Sequence, residues 1–404
     1  MLNQLDGAGR KTRLEVPKAY RLRLPGPTEV PERVRQAIAR PVLNHRGPEF
    51  RAELAQAEAL LRPVLGTTNR VLFFAATGTG MMEAALANVA DPGDRLLVVS
   101  HGQFGERFAA IGRSLRAEID LLEFPWGDPI DPAGIEERVR RTAYRAVVVI
   151  HNESSTGVVA GLEAIGRVLR GNPALLVVDS VSGLGGIEMQ QDRWGVDIVI
   201  SASQKALMCP PGLGLASVSE KAWRVIGRDG RDPGFYWSFK RALASIEKGE
   251  TPFTAPVGLV AGLVEALEMI HAEGLPNVLE RHRRLSSALR AGGEAIGLPQ
   301  FGHGAALSST VVVFALPETL DGARIVRAMY ERHGTVIAGA RNKLAGRVIR
   351  FGTMGANTAG TILTDLIELE AVLASMGCRV TPGAGVGAAG AILGADISSQ
   401  GGQS

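Results

Sequence analysis

The chain has 404 residues, of which 46% are hydrophobic and 21% charged, as expected of a globular protein with more than one hydrophobic core. This composition excludes disorder and coiled coil as descriptions of the whole chain. Lys and Arg number 44 against 41 Asp and Glu, and the basic residues are scattered, so nucleic acid is not predicted as a partner. The 50 glycines indicate many turns or close approaches of the backbone to a ligand.

The cellular location is predicted from the cysteines and from the absence of targeting signals. Two cysteines, Cys209 and Cys378, are too few for a disulfide framework and favour a reducing compartment. The first 20 residues mix charges and lack an apolar segment, so no signal peptide is predicted. No apolar run reaches the length of about 18 residues that a membrane span needs. We therefore expect a cytoplasmic protein without a membrane partner.

Short β-rich runs alternate with helical stretches between about residue 70 and residue 218, which is typical of an α/β fold. Several runs are apolar at successive positions, as expected of parallel strands buried on both faces. Ligands of such sheets bind beyond the carboxyl ends of the strands. The predicted strands are Val71–Phe74, Leu96–Ser100, Ala146–His151, Leu175–Asp179, Ile198–Ser201 and Gly214–Val218.

The pattern changes after Pro256. Apolar residues at helical spacing from Leu259 to Ile270 predict a long connecting helix, and a second helical stretch follows. A strand over Thr310–Leu316, a helix from about Gly322 to His333 and a later strand and helix indicate a smaller α+β domain. The predicted division is an N-terminal arm (1–20), a large domain (21–270), a small domain (271–382) and a loosely packed tail rich in glycine and alanine (383–404).

A glycine turn lies between the first predicted strand and a helix that starts near Met81. The hydroxyls of Thr77 and Thr79 and the free N–H groups of the helix N-terminus are suited to hold a phosphate. Glu83 stands where a dinucleotide-binding fingerprint requires a third glycine, and the Gly-Lys-Ser/Thr of a P-loop is absent. A strand-to-helix turn without any ligand would explain such a motif more often than not.

Asp179 and Lys205 follow two neighbouring predicted strands. A carboxylate at the mouth of a parallel sheet is well placed to pair with a cationic ring nitrogen, although a helix N-cap or a surface turn explains Asp179 equally well. Lys205 stands among small residues and before a rigid Pro-Pro-Gly turn. A pocket there would lower the pKa of its amine, which suits Schiff-base chemistry. One helix and one strand fit between the two residues, so both side chains can reach the same sheet edge.

A set of motifs occurs in order over nearly the whole chain. They are RLPGPTEVP (23–31), TGTG (77–80), HNESSTGV (151–158), VDSVSGLGG (178–186), SASQKALMCPPG (201–212) and VIRFGTMG (348–355). Together they resemble the class V aminotransferases of fold type I, above all the alanine–glyoxylate and serine–glyoxylate aminotransferases. The resemblance implies pyridoxal 5′-phosphate as cofactor and no metal. It also implies a large domain with a mostly parallel, mixed seven-stranded sheet and a smaller C-terminal α+β domain.

The resemblance implies two residues for the reaction itself. Lys205 would form the internal aldimine and later carry the α-proton, and Asp179 would pair with the pyridinium nitrogen. Phe104 stands where the family often has a tryptophan stacked on the cofactor ring, and a phenyl ring can stack over less area; an ordinary core phenylalanine is the alternative. The resemblance also implies further contacts with the cofactor. They are Thr77, Gly78 and Thr79 at the phosphate, Ser203 and Gln204 near it, and Ser154 at the polar edge of the ring.

In this family a neighbouring subunit completes the phosphate site through a segment that matches TPFTAP (251–256). Thr254 is the expected contributor, whereas Thr251 stands where relatives carry a tyrosine. A homodimer with shared active sites is therefore implied. Arg350 matches the arginine that binds the substrate α-carboxylate, for which a planar guanidinium is suited, and Gly26 is assigned to the same substrate site.

The implied reaction is a ping-pong transamination in which serine or alanine gives its amino group to glyoxylate, producing glycine. Arg341 and Thr353 depart from the family pattern. A second cation could favour aspartate or glutamate as donor, although a solvated loop arginine explains Arg341 as well. The sequence is also compatible with pyruvate as a substrate, with a lyase or desulfurase of the same fold, and with a binding protein without activity. A desulfurase needs a mobile nucleophilic cysteine, and Cys209 beside two prolines is better explained as a packed core thiol.

Overall fold

A computed structural model describes residues 21–228, 233–304 and 306–394. The predicted N-terminal arm and residues 395–404 of the predicted tail lie outside this part. Up to residue 218 the elements are β1 (Arg21–Leu22), α1 (Glu32–Ile38), α2 (Pro48–Leu65), β2 (Val71–Ala76), α3 (Gly78–Val89), β3 (Arg95–Ser100), α4 (Gln103–Ser114), β4 (Glu118–Glu123), α5 (Pro132–Arg141), β5 (Ala146–Ile150), β6 (Asn152–Glu153), β7 (Val158–Val159), α6 (Leu162–Val168), β8 (Leu175–Asp179), α7 (Gln191–Trp194), β9 (Ile198–Ala202) and β10 (Gly212–Val218).

The remaining elements lead from the large sheet into a second core. They are α8 (Glu220–Ile226), α9 (Phe239–Ile246), α10 (Val257–Glu273), α11 (Leu275–Ala295), β11 (Val311–Ala315), α12 (Gly322–His333), β12 (Thr335–Val336), β13 (Ala338–Gly339), a 3-10 turn (Asn342–Leu344), β14 (Val348–Gly352), α13 (Ala359–Ser375) and α14 (Ala384–Gly394). Within the described ranges, no helix is both long and apolar enough to cross a bilayer.

The central sheet has seven strands in the order β2-β10-β9-β8-β5-β3-β4. Strand β10 is antiparallel to both of its neighbours, and the other pairs are parallel. Strands β5 and β8 are buried at every position because helices such as α3 and α4 pack on the sheet. This burial explains why their sequences are apolar at successive positions. The predicted fold class, a mostly parallel seven-stranded sheet in an α/β protein, is confirmed.

The carboxyl ends of the parallel strands bring several predicted site segments to one edge of the sheet. β2 ends before Thr77, β8 ends at Asp179, and β9 ends shortly before Lys205. β3 leads into α4, which carries Phe104, and β5 leads into the β6–β7 hairpin, which carries Ser154. This edge is where ligands of parallel α/β sheets bind.

A second hydrophobic core surrounds the antiparallel sheet β11-β14-β13. Phe314 and Phe351 of this sheet belong to the same buried core as Leu366 and Leu373 of α13. The long helix predicted from Leu259 to Ile270 is present as α10, whose chain leads directly into α11 and this core.

The first part of the expected tail differs from the prediction, because it forms helix α14 instead of a loosely packed segment. Ala389 and Leu393 are buried against α11 and α13. The carboxylate of Glu370 accepts the backbone N–H groups of Gly383 and Gly385, both at 2.8 Å, and so caps the helix start. The four glycines of α14 disfavour a helix, and packing of one helix face against the second core offsets that cost.

Candidate active site

A cleft of about 220 Å³ lies at the carboxyl edge of the central sheet. Eight of the residues predicted from the sequence line it: Thr77, Gly78, Thr79, Phe104, Ser154, Asp179, Gln204 and Lys205. They come from segments that follow β2, β3, β5, β8 and β9. The topology therefore gathers residues that are far apart in the sequence into one pocket.

Lys205 lies in the turn after β9, and its Nζ donates a hydrogen bond to the carbonyl oxygen of Pro25. Burial lowers the pKa of Lys205 to about 8, and the positive charge of Arg350 adds to this effect. An amine with such a pKa is unprotonated in about one tenth of molecules at pH 7, far more than an ordinary lysine. Only the unprotonated amine can attack a carbonyl carbon or accept a proton, so the site prepares Lys205 for covalent and acid–base chemistry.

Asp179 is the last residue of β8, and the backbone N–H of Val181 donates to its Oδ1 at 2.7 Å. Burial, with a smaller contribution from the negative charge of Glu153, raises the pKa of Asp179 to about 7. The Val181 bond and the charge of Lys205 act in the opposite direction. A cationic N–H placed in the cleft would restore the ionised carboxylate, because an opposite charge lowers a carboxyl pKa. The environment of Asp179 therefore suits a protonated ring nitrogen as partner.

The N-terminus of α3 forms the other end of the cleft. Thr77 is the N-cap residue in an extended conformation, and its side chain makes no cap bond. The first N–H groups of the helix therefore lack the side-chain acceptor that commonly caps a helix. The Arg107 guanidinium donates to Thr79 Oγ1 at 3.1 Å. Free helix N–H groups, two hydroxyls and one cation together form a site suited to a phosphate dianion.

Helix α4 supplies an aromatic and a cationic side chain to the cleft. The guanidinium carbon of Arg107 lies 4.6 Å from the ring centroid of Phe104. Arg107 is not among the residues predicted from the sequence. The signal was available, because Arg107 follows Phe104 by three residues and residues at this spacing share one helix face.

Arg350 lies on β14, next to the hairpin that carries Ser154. Its Nε and Nη2 donate to the carbonyl oxygen of Gly339 at 2.9 and 2.7 Å, and its Nη1 donates to that of Ser154 at 2.9 Å. Burial lowers the pKa of Arg350, and the charge of Arg341 contributes in the same direction. The charge of Arg341 therefore reaches Arg350. Thr353 is buried and donates to the carbonyl oxygen of Ser309, so its hydroxyl is used inside the fold.

Four predicted site residues are not part of the cleft lining: Gly26, Ser203, Thr254 and Arg350. The buried Ser203 hydroxyl donates to the carbonyl oxygen of Pro210 at 2.6 Å. Thr254 is exposed and borders a separate cavity with Tyr236 and Phe253. Thr251 is buried, and its hydroxyl donates to the carbonyl oxygen of Phe253.

Cys209 is a packed core thiol, as predicted. It is fully buried, and burial raises its pKa to about 12. A thiol that keeps its proton is a poor nucleophile, so this cysteine does not support desulfurase chemistry.

The model of the family "Aminotransferase class-V" matches residues 26–359. The chain belongs to the class V aminotransferases. It is 35% identical to the L-aspartate–glyoxylate aminotransferase of Paracoccus denitrificans, covering 91% of this chain and 94% of the relative. It is also 35% identical to the serine–glyoxylate aminotransferase of Methylorubrum extorquens, over 93% and 96% of the two chains. The solved structure of the ureidoglycine–glyoxylate aminotransferase of Bacillus subtilis superposes with a TM-score of 0.88 at 30% identity, covering 95% of this chain and all of that one.

Membership in the class V aminotransferases establishes a transaminase with pyridoxal 5′-phosphate as cofactor. The cleft fits this group at three points. The N-terminus of α3 with Arg107 suits the phosphate, the buried Asp179 carboxylate suits the ring nitrogen, and the Lys205 amine suits the aldehyde. Phe104 adds an aromatic ring to the wall of the cleft. Relatives that use glyoxylate support a glyoxylate-using transaminase.

Proposed function

We propose that this class V aminotransferase moves the amino group of serine or alanine to glyoxylate and produces glycine. The observation that carries the proposal is that Arg350 donates to the carbonyl oxygen of Ser154, at 2.9 Å, and Ser154 lines the same cleft as Asp179 and Lys205. A cation for the substrate carboxylate thus lies next to the groups that would hold the cofactor. The serine–glyoxylate relative supports serine as donor.

Bound pyridoxal 5′-phosphate supplies an electron sink for the pair of electrons left when the α-proton of an amino acid is removed. Lys205 would hold the cofactor covalently and, once displaced by the donor, accept the proton at the donor Cα. Its lowered pKa, about 8, suits a base that must also return this proton. Asp179, ionised against the ring N–H, would hold the proton at that nitrogen throughout the reaction.

Arg350 would bind the α-carboxylate of the donor and the carboxylate of glyoxylate. A guanidinium has five N–H donors, and three of them bond to Gly339 and Ser154 in the described part of the chain. The other two are left for a carboxylate oxygen. The bonds to Gly339 and Ser154 also fix the plane of the guanidinium, so that less side-chain entropy is lost when substrate binds.

Aspartate is a second candidate donor, and Arg341 is the observation that favours it. Arg341 is exposed and lies close enough to Arg350 to influence its pKa. Two neighbouring guanidinium groups would pair with the two carboxylates of a dicarboxylic amino acid. The L-aspartate–glyoxylate relative supports the same candidate.

We also propose a homodimer in which Thr254 of each subunit contributes to the phosphate site of the other. Exposure of Thr254 outside the cleft of its own chain agrees with such a role. Light scattering should give twice the mass of one chain. Thr254→Ala should weaken binding of pyridoxal 5′-phosphate, whereas Thr68→Ala, at another exposed threonine, should not. A monomer with full activity would contradict the proposal.

The proposed reaction is tested by measuring glycine formed from glyoxylate with serine, alanine and aspartate as separate donors. We expect kcat/KM to be highest with serine or alanine, and Lys205→Ala to abolish the reaction. Lys343→Ala is the control, because Lys343 is exposed and its Nζ bonds to Glu106 at 2.7 Å outside the cleft lining. A preference for aspartate would select the second candidate, and absence of glycine with every donor would reject glyoxylate as acceptor.

A further inference from the structure

Glu153 is a fully buried carboxylate beside the cleft, in the hairpin that also carries Ser154. Its Oε2 accepts the backbone N–H groups of Phe104 and Gly105, at 2.9 and 3.3 Å. Its Oε1 accepts the N–H and the hydroxyl of Ser155, at 3.1 and 2.6 Å. Four donors therefore share one carboxylate, and two of them belong to the first turn of α4.

Helix α4 has no capping side chain of its own, because its N-cap residue is Gly102. The hairpin supplies the missing acceptors: besides Glu153, the Ser155 hydroxyl accepts the N–H of Gln103 at 3.0 Å. A carboxylate at this place is also favoured by the positive end of the helix. Glu153 and Ser155 thus cap α4 from a different segment of the chain.

The contact between the hairpin and α4 is very close. A β-carbon at Gly102 would overlap the Glu153 side chain and come within 2.6 Å of Ser155 Oγ. Only glycine permits this approach, so the backbone of α4 is held against the hairpin with little freedom to shift. The same hairpin contacts Arg350, which donates to the carbonyl oxygen of Ser154.

We propose that Glu153 is a positioning residue for the cofactor cleft, which fixes the aromatic wall on α4 relative to the polar wall on the hairpin. Phe104 and Arg107 stand on α4, and Ser154 stands next to Glu153. A shift of α4 would move the ring that faces the cofactor and the cation near its phosphate at the same time. The inference rests on the proposed roles of these residues at the cofactor and does not depend on the donor.

Glutamine is the informative replacement because it has the same shape as glutamate. Only one of its two terminal atoms accepts hydrogen bonds, and its NH₂ group would face N–H donors on one side. Glu153→Gln must therefore lose either the bonds to α4 or the bonds to Ser155. The volume of the side chain is unchanged, so the effect is not that of a cavity.

Glu370 provides a matched control. It is also a buried glutamate that accepts two backbone N–H groups at a helix start, those of Gly383 and Gly385 at α14. It lies in the second core and does not line the cleft. Glu370→Gln thus removes the same kind of helix cap without touching the cofactor site.

The test uses the holoenzyme without substrate and measures its melting temperature, the visible circular dichroism of the bound cofactor and the rate at which the cofactor dissociates. We expect both variants to lower the melting temperature. Only Glu153→Gln should reduce the dichroism and speed dissociation of the cofactor. We expect the dissociation rate to rise by about tenfold, which corresponds to the loss of one charge-assisted hydrogen bond. Wild-type dichroism and dissociation in Glu153→Gln would overturn the inference.

Ser155→Ala is the milder variant for the case that Glu153→Gln does not fold. It removes the acceptor of the Gln103 N–H and one donor to Glu153. We expect a smaller change of the dichroism and of the dissociation rate in the same direction, and unchanged values would again overturn the inference. These measurements contain no substrate, so they test the inference separately from the reaction. Failure of the wild-type enzyme to form glycine would reject the proposed function and leave this inference standing.

Discussion

Gly26 lies so close to Lys205 that a β-carbon at residue 26 would come within 2.6 Å of Lys205 Nζ. Its φ of 111° is one that residues with a side chain rarely adopt. On either side of it, the Pro25 carbonyl accepts from Nζ and the Thr28 hydroxyl donates to the Lys205 carbonyl at 3.0 Å. The segment Pro25–Thr28 therefore holds the lysine at both its backbone and its amine.

Gly26→Ala should misplace the Lys205 amine. We expect kcat/KM to fall by about 100-fold, the usual effect of a shift of about 1 Å at a reacting group. The absorbance of the bound cofactor should change as well. Gly387→Ala is the control, because a β-carbon there meets nothing within 4 Å and its helix lies away from the cleft. Activity of Gly26→Ala within twofold of wild type would mean that the lysine is not held by this segment.

Arg107→Met should weaken phosphate binding specifically. The variant keeps an unbranched side chain over Phe104 but removes the cation that bonds to Thr79. We expect the Kd for pyridoxal 5′-phosphate to rise by about tenfold, equivalent to about 1.4 kcal/mol, and the Kd for pyridoxal to stay unchanged. Fluorescence titration of the apoenzyme with both compounds measures the two constants. An equal rise for both compounds would assign Arg107 to the ring instead of the phosphate.

Asp179→Asn should stabilise the apoenzyme while impairing the reaction. In the folded chain burial raises the pKa of Asp179 to about 7, above its ordinary value of 3.8. Ionisation of this group therefore costs stability progressively as the pH rises from about 4 to 7, and the cost is complete above pH 7. At pH 8 the free energy of unfolding should be higher in the variant by up to about 4 kcal/mol, with the difference vanishing below about pH 4.

Urea unfolding of both apoenzymes at several pH values measures this difference. Asparagine can still accept the Val181 N–H, so the loss of one hydrogen bond does not mask the effect. The reconstituted variant should turn over more slowly, because a neutral amide does not hold the proton at the ring nitrogen. If Asp179→Asn is less stable than wild type at pH 8, ionisation of Asp179 does not lower the free energy of unfolding and the prediction is contradicted.

Arg341→Ala separates the two candidate donors, and Arg350→Ala tests the carboxylate site that all substrates share. Arg350→Ala should raise KM for every donor and for glyoxylate, since each carries the carboxylate that Arg350 would bind. Arg341→Ala should lower kcat/KM for aspartate by about tenfold or more and leave serine within twofold, if aspartate is a natural donor. Arg347→Ala is the control, because Arg347 is an exposed arginine of the same segment. An equal loss with serine and aspartate would reject a distal-carboxylate role for Arg341.

The sequence predicted most of the sheet because its strands are long enough and apolar enough to be recognised. Six of the seven strands were predicted, and β4 was not. Its sequence, EIDLLE, has charged residues at both ends, and none of its positions is fully buried. It stands at the edge of the sheet, where one side of the strand is unpaired, so it lacks the apolar pattern of a central strand.

The residues easiest to place from the sequence are those at or just after the ends of strands. Asp179 and Lys205 belong to this group, and the topology alone brings them to one edge. Glu153 depends on how α4 docks on the hairpin, and the local sequence does not reveal that contact. Arg107 could have been found from its helical spacing to Phe104. Ser203 stands close to Lys205 in sequence, yet the turn directs its hydroxyl to Pro210. Helix α14 was missed for a similar reason, since its cap comes from Glu370 on another helix.

The most direct test of the proposed reaction is a single half-reaction on the purified holoenzyme. Serine is added without acceptor, the cofactor absorbance is followed, and the released products are counted. We predict loss of the initial absorbance with one equivalent of oxo-acid per active site and no free ammonia, followed by full recovery on addition of glyoxylate with one equivalent of glycine. Release of ammonia in repeated turnovers would identify a lyase, and an absorbance that no amino acid changes would contradict the proposed transamination.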